Sequence, residues 1–590
     1  MSRLRNAAAA SVVLLAVTTV PAHADRPAPS KDAVATGTGG AVVTVDPDAT
    51  DAGLVMLRRG GNAFDAAVAA SAALGVTEPY SGGIGGGGFL VAYVADLDEV
   101  IVIDGREEAP HDPAFDENVF VDNTADFTDA VNSGLSVGTP GTVATWQAAL
   151  DAYGTKPLAQ VLQPAITLAQ RGFVVDETFA AQTRANLDRF RQVATTADLF
   201  LDDGEVPAVG SILRNPDLAD TYRQLARGGV DAFYAGPIAD DIVATVQDPQ
   251  TTAGAADSWQ PGLLTTDDLA SYEVRRPEAT TSTFLGYEIA GMPPPSSGGI
   301  AVGEILNILE HEDDLASLSP VEFEHRFLEA SALAFADRNA YVADDRFVDV
   351  PQTGLLSEAF AGERWSLVDP LRAADKPVAP GDPCPHDDGP CTPAAGATSG
   401  ASGSTTHLVT ADAAGNVVSY TFTIEQTGGS ALTVPGRGFI LNNELTDFNR
   451  DGDSPNLAAP GKRPRSSMSP TIVLEDGEPI VAVGSPGGAT IITTVAGILT
   501  HRLGRDASLP DAIAAPRAAP LNIPVVPAEP AYRSTFGEPL QALGHAFSDV
   551  AQIGAATGIE LLGDGRMLGA AEPERRGGGH AAVLRPDRRS

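Results

Sequence analysis

Apolar and polar positions alternate along this chain in two periods, and both recur from end to end. Short apolar runs at Phe89 to Val94, Val100 to Asp104, Thr471 to Leu474 and Ile480 to Val483 read as strands, and His407 to Thr423 alternates as a sheet segment should, with a strand at Val417 to Thr423. Longer stretches carry the helical period. The small-residue run Ala63 to Leu74, reached through Ala41 to Val45 and Ala49 to Arg59, suits a closely packed helix. Val143 to Tyr153, Leu158 to Arg171 and Pro216 to Arg227 read as covering helices, and Phe323 to Tyr341 and Ile491 to Leu499 as two more. Thr245 to Gly262 is polar and loop-like, the prolines within Met292 to Gly299 rule out a helix there, and acidic runs such as His311 to Asp314 read as solvated faces. Strands and helices are interspersed throughout, which predicts a mixed α/β (α+β) protein.

One boundary in this pattern is abrupt. Ala379 to Ser404 is rich in Pro, Gly, Ser and Ala and does not look able to bury a core, whereas the residues after it turn directly into sheet. A tether thus ends at Ser404-Thr405, where a hydroxyl residue opens a strand. One reading is a linker between two domains. The other is a latent N-terminal nucleophile: cutting the Ser404–Thr405 bond would place a free α-amine, of ordinary pKa about 7.7 to 8.0, beside the Thr405 hydroxyl as general base.

Length and charge narrow the function classes. With 590 residues the chain has room for two to four domains. A net charge of −39 repels nucleic acid and anionic membrane. Met1 to Ala24 carries Arg3 and Arg5, an apolar run from Ala7 to Val20 and then Ala22-His23-Ala24, a pattern that predicts a secretory signal cleaved before Asp25. That run is too short to span a bilayer, so a secreted or periplasmic protein without a membrane span is expected. For an exported chain, the two cysteines Cys384 and Cys391 predict a disulfide closing a short loop; a metal site involving His386 is the alternative.

Three formal motifs fail on context. Gly83 to Gly88 matches the dinucleotide fingerprint, yet a helix-like stretch precedes it and a strand follows, the reverse of the required order. Gly134 to Gly138 matches a serine-hydrolase elbow around Ser136, but the preceding Asn123 to Ser133 is polar rather than an apolar strand. Asp447, Asn449, Asp451 and Gly452 begin like a calcium loop whose twelfth position is Ala458 instead of Glu. Neither a cofactor nor a metal is expected.

Thr405-Thr406-His407, followed by Asp412, Gly415 to Ser419 and Thr421-Phe422-Thr423, resembles the processing-site motif of the γ-glutamyltransferases, an N-terminal-nucleophile hydrolase family. The likeness extends from about Val34 to about Ala582 and includes the glycine run at Gly82, Arg106, Thr139 to Thr142, Met292 to Gly299, Asp337-Arg338, Arg465 to Pro470, Gly484 to Gly488 and Glu572 to Gly578. It implies an αββα sandwich built jointly from a heavy fragment, Asp25 to Ser404, and a light fragment, Thr405 to Ser590. It also implies Thr405 as nucleophile, supported by Thr423, and the backbone amides of Gly487 and Gly488 as oxyanion hole.

A glutamyl donor carries an α-carboxylate and an α-ammonium, and the resemblance assigns Arg106, Ser466 and Ser467 to the first and Glu444 and Asp447 to the second. Two departures stand out: Gly105 replaces a common aromatic before Arg106, and Glu425 stands where many members have an asparagine at the amino-group end. The implied partners are a γ-glutamyl compound such as glutathione and an amino-acid or peptide acceptor. A cephalosporin-type acylase or a poly-γ-glutamate processing enzyme of the same fold is the alternative, with an exported non-catalytic binding protein further off. Asn449 to Arg465 contains no aromatic residue, so the lid that some members fold over the donor is expected to be missing.

Overall fold

The computed structural model describes residues 29–392, 403–450 and 452–587. The leader expected at Met1 to Ala24 lies outside the described residues, as do residues 393–402 of the Pro- and Gly-rich segment, Asp451 and residues 588–590.

Twelve strands make up one hydrogen-bonded sheet network. They are β1 (Val34–Thr44), β2 (Gly87–Val94), β3 (Glu99–Gly105), β4 (Thr280–Phe284), β5 (Tyr287–Gly291), β6 (Thr405–Asp412), β7 (Val417–Thr423), β8 (Thr471–Glu475), β9 (Glu478–Gly484), β10 (Thr557–Leu562), β11 (Arg566–Ala571) and β12 (His580–Pro586). The order is β3-β2-β7-β6-β1-β11-β10-β9-β8-β5-β4, with β12 on β1. Strand β1 is the hinge of the network: its first half pairs with β11 and its second half with β6. The sheet thereby folds back on itself, and β9 packs across β6 and β7.

Side-chain parity explains the layers. Leu90 and Ala92 of β2, Leu408 of β6 and Tyr420 and Phe422 of β7 share one core with helices α1 (Pro47–Arg58), α2 (Ala63–Thr77) and α3 (Thr142–Tyr153). Phe89, Val91, Val409 and Ala411 point the other way, into a second core with β8, β9 and helices α4 (Gly298–Glu310), α5 (Pro320–Tyr341) and α6 (Thr490–Leu499). The result is an αββα sandwich. All eight residues of β6 and all seven of β7 are buried, as the central strands of such a sandwich must be.

Helix α2 is buried on every side, and its alanines let neighbouring layers approach; Asn62 caps it, accepting from the amides of Phe64 and Asp65 at 3.1 Å, while the Asp65 carboxylate accepts from the Asn62 amide at 2.8 Å. Two expectations need correction. Leu158 to Arg171 is not one helix but two, Leu158–Val161 and Gln163–Arg171, because Pro164 cannot donate to the preceding turn and instead starts a new one. The segment from Ala379 is not wholly a loose tether: Gly381 donates to Asp337 and accepts from Tyr341, and Cys384 and Cys391 are joined in a disulfide.

Candidate active site

The sheet register alone brings the two key threonines together. Thr405 opens β6 directly opposite Thr423, the last residue of β7, and both lie on the parity that faces the gap between the sheet layers. Thr405 Oγ1 donates to Thr423 Oγ1 at 3.4 Å, and Thr423 Oγ1 donates to the Ser404 carbonyl at 2.8 Å. Thr423 also accepts from the Glu425 amide at 2.8 Å, which fixes its rotamer. A chain of hydroxyls thus runs from Thr405 to the carbonyl of the bond in question. On the same parity, His407 is sealed between the layers, its Nδ1 2.8 Å from Thr421 Oγ1; burial pushes its pKa down to about 3, which marks it as a neutral structural residue. Gly484 makes room for that ring, because a Cβ there would lie 2.3 Å from His407 Cε1.

Strand β9 ends at Gly484, and Ser485 to Ala489 then turn into α6 at the open end of the gap. Gly487 and Gly488 have φ of +140° and +57°, the left-handed region that favours glycine, and among the described residues neither amide donates to a protein acceptor. A Cβ built on Gly403 would lie 3.2 Å from Gly488 Cα, so Gly403 sits against Gly488.

The floor of the site is the glycine run. A Cβ on Gly85 would lie 2.0 Å from the Ile440 carbonyl and one on Gly86 1.9 Å from the Thr423 carbonyl, so backbone meets backbone there. The Gly86 carbonyl accepts from the amides of Gly141 and Thr142 at 2.9 and 3.0 Å, the turn that starts α3. Helix α3 also explains Gly105: a Cβ there would fall 1.9 Å from Thr145 Oγ1, leaving no room for an aromatic residue.

Arg106 leaves β3 with its amide on Asp104 Oδ1 at 2.9 Å and its carbonyl held by Tyr272 Oη at 2.7 Å. The sequence reading placed Arg106 at one end of a substrate and Glu444 and Asp447 at the other. The structure joins all three: Arg106 donates from Nη1 to Glu444 and from Nη2 to Asp447, and Nε reaches the Pro464 carbonyl at 3.1 Å. Asp447 is the member that faces the cleft, its side chain 33% exposed. Glu107 Oε2 lies 3.9 Å from Arg106 Nη1, within ion-pair distance though neither carboxylate oxygen accepts a hydrogen bond, and burial pushes it up to about 7; burial likewise raises Glu444, against the opposing pull of Arg106. Glu425 has φ of +73° and is buried, its Oε2 accepting from Asn443 Nδ2 at 3.2 Å, and burial raises its pKa well above the usual range.

Ser466 and Ser467 follow directly on Pro464 and Arg465, whose carbonyls accept from Arg106 at 3.1 and 3.3 Å. Ser466 Oγ accepts from the Met468 amide at 3.2 Å, and Ser467 Oγ accepts from Arg338 Nη2 at 2.8 Å. The connection from Asp447 to Ser466 is tied down by Asn456, which donates to the Asp447 carbonyl at 2.7 Å and accepts from the Arg465 amide at 2.8 Å.

Two functional candidates escaped the sequence reading as individuals, although each sits in a segment it singled out. One is Arg338. The other is Arg576, whose Nη1 donates to the Thr405 carbonyl at 2.7 Å and whose Nη2 reaches Glu78 Oε2 at 2.8 Å and Ser81 Oγ at 2.6 Å. Ser81 Oγ in turn lies 3.0 Å from Ser404 Oγ. By contrast, Ser136 is fully buried and its hydroxyl donates to the Ser133 carbonyl at 2.8 Å, leaving no exposed nucleophile at the formal elbow.

The sequence profile of the Gamma-glutamyltranspeptidase family matches residues 49–583. The Bacillus subtilis (strain 168) glutathione hydrolase proenzyme is 37% identical over 588 residues, covering 96% of each chain. The acylase ACY 1 proenzyme of Pseudomonas sp. (strain SE83) is 35% identical over 91% of this chain and 92% of its own. Among solved structures, a cephalosporin acylase from Bacillus halodurans superposes with a TM-score of 0.82 at 29% identity, covering 95% of this chain and 98% of that one. A match that spans nearly the whole chain, on a fold whose sheet register aligns Thr405 with Thr423, leaves one assignment: the chain belongs to the gamma-glutamyltranspeptidase family.

Proposed function

We propose that the chain is an exported, self-processing γ-glutamyl transferase and hydrolase that cleaves the γ-glutamyl amide of glutathione-type donors. The observation that carries this reading is the hydroxyl chain from Thr405 through Thr423 to the Ser404 carbonyl. In processing, Thr405 Oγ attacks the Ser404 carbonyl carbon while Thr423 steadies the carbonyl oxygen, and the C–N bond to Thr405 breaks as its nitrogen gains a proton. The resulting ester is hydrolysed by water, releasing the Ser404 carboxylate, restoring the Thr405 hydroxyl and leaving a free α-amine. The heavy fragment is then residues 25–404 and the light fragment 405–590, with the leader at Met1 to Ala24 removed on export. Among the described residues, no helix is long and apolar enough to cross a membrane.

The same groups then act on donors. The α-amine takes the Thr405 hydroxyl proton as Oγ attacks the γ-carbonyl, the Gly487 and Gly488 amides hold the oxyanion, and the amine returns the proton to the departing nitrogen. Water or an amino-acid or peptide amine then takes the glutamyl group from Thr405. Arg106, Ser466, Ser467, Glu425, Glu444 and Asp447 hold the glutamyl end. Until the chain is cut, Gly403 occupies the ground beside Gly488, so the precursor is inactive on donors. A second reading, an acylase acting on β-lactam side-chain amides, draws support from the likeness to the cephalosporin acylase. Side-by-side assay of glutathione and such an amide separates the two, and a Thr405→Ala variant that still cut itself or turned over glutathione would overturn the first.

A further inference from the structure

Eight arginines are buried among the described residues, and six of them, Arg106, Arg326, Arg364, Arg463, Arg517 and Arg575, hold a carboxylate within ion-pair distance. Arg338 and Arg465 are the two that do not. Arg338 is 3% exposed; its Nε donates to Ser297 Oγ at 2.9 Å, its Nη1 to Asn339 Oδ1 at 2.8 Å and its Nη2 to Ser467 Oγ at 2.8 Å, all neutral acceptors. Arg465, 4% exposed, donates from Nη1 to the carbonyl of Val342 at 3.1 Å, with those of Asn339 and Arg338 at 3.4 and 3.5 Å. A buried guanidinium without a counter-charge is costly to keep, and breaking a buried ion pair shows how costly. Burial first, and then the neighbouring Arg465, push the Arg338 guanidinium well below its ordinary value; the Asp447 carboxylate pulls the other way on both arginines without offsetting burial.

The Arg338 guanidinium stands directly behind Ser467, and that of Arg465, the residue before Ser466, is held on the backbone around Arg338. Because Ser467 Oγ accepts from Arg338 and Ser466 Oγ accepts from the Met468 amide, both hydroxyl protons are left to donate to something else. Arg106 is differently placed, since Glu444 and Asp447 already occupy its fork. An incoming carboxylate would meet little net positive charge from that cluster alone.

We propose that Arg338, backed by Arg465, supplies the missing positive charge of the donor's α-carboxylate subsite and acts through Ser467, as a positioning residue rather than one that touches the reacting atoms. The proposal rests on the γ-glutamyl reading above. An arriving carboxylate completes the charge that the protein leaves open and takes the two free serine protons.

The test uses the full-length, self-processed protein and three p-nitroanilide donors: γ-glutamyl, glutaryl, which keeps the carboxylate and lacks the ammonium, and γ-aminobutyryl, which does the reverse. Turnover of γ-glutamyl p-nitroanilide by the wild type is the first arm; no turnover of it sinks the functional reading itself. Given turnover, Arg338→Gln should raise KM for the two carboxylate-bearing donors about 10-fold or more with kcat within about 3-fold, the loss of one charge-assisted contact. For γ-aminobutyryl p-nitroanilide kcat/KM should stay within about 3-fold of wild type, and Arg338→Lys should recover part of the KM. Equal losses on all three donors, or no change on any, would overturn the proposal. Should Arg338→Gln fail to fold or to process, Arg465→Gln decides by the same donor split, and a uniform loss there also counts against it.

Discussion

Replacing Thr423 by valine keeps the shape of the side chain and removes one oxygen. In the folded chain that oxygen makes three contacts: it donates to the Ser404 carbonyl at 2.8 Å, accepts from the Glu425 amide at 2.8 Å and receives the Thr405 hydroxyl at 3.4 Å. Thr423 is 2% exposed, so water does not replace it. Leaving the Glu425 amide unpaired should cost about 1–3 kcal/mol of stability. The larger effect falls on the reaction, because the hydrogen bond to the Ser404 oxygen strengthens as that oxygen becomes an oxyanion. Losing one such donor typically lowers rate by about 10²- to 10³-fold. Freshly purified precursor followed on a denaturing gel should therefore show self-cleavage slowed by about that factor in Thr423→Val and largely recovered in Thr423→Ser. Cleavage of the valine variant at the wild-type rate would refute the hydroxyl chain as the route.

Arg106→Gln leaves Glu444 and Asp447 without their shared cation, so thermal or denaturant unfolding should show a loss of about 3–5 kcal/mol along with a raised donor KM; an unchanged unfolding midpoint would remove Arg106 from that cluster. Glu324, buried against Tyr532, is pushed up to about 7. The folded state therefore holds a proton that the unfolded state sheds near pH ~4.3, and this stabilisation is present at low pH and lost as pH rises through about 7. Denaturation at pH ~5 and ~8 should show Glu324→Gln losing less than wild type, by up to about 3 kcal/mol, and parallel losses would contradict the assignment. The connection Asn449 to Arg465 carries no aromatic residue, so the cleft should accept γ-linked glutamyl oligomers and favour hydrolysis over transfer; refusal of oligomers together with dominant transfer at low acceptor concentration would count against an open site.

Local pattern made the central elements legible. The small-residue run from Ala63 marks α2, and the alternation from His407 to Thr423 marks the β6–β7 hairpin on which the two threonines sit. Strands β10 to β12 were not identified, since Thr557 to Leu562 and Arg566 to Ala571 mix glycine and alanine with few branched residues and lean on β9 and β1 for their definition. The site residues were named from motif likeness, but their contacts were not readable. That Arg106 meets Glu444, that Arg338 reaches Ser467 and that Arg576 holds the Thr405 carbonyl are pairings across more than a hundred residues, set by layer packing and not by any period in the chain. Gly105 shows the same limit: only the approach of Thr145 explains why a side chain is excluded there.

The central claim is that Thr405, freed by cleavage, carries the glutamyl group. Rapid acid quenching of the processed enzyme with a γ-glutamyl donor, followed by mass spectrometry of its peptides, tests this directly. The account predicts two chains, the smaller beginning Thr405-Thr406-His407, with one glutamyl group esterified to that N-terminal threonine. An active chain that stays uncut, or a glutamyl group attached to any other residue, would contradict it.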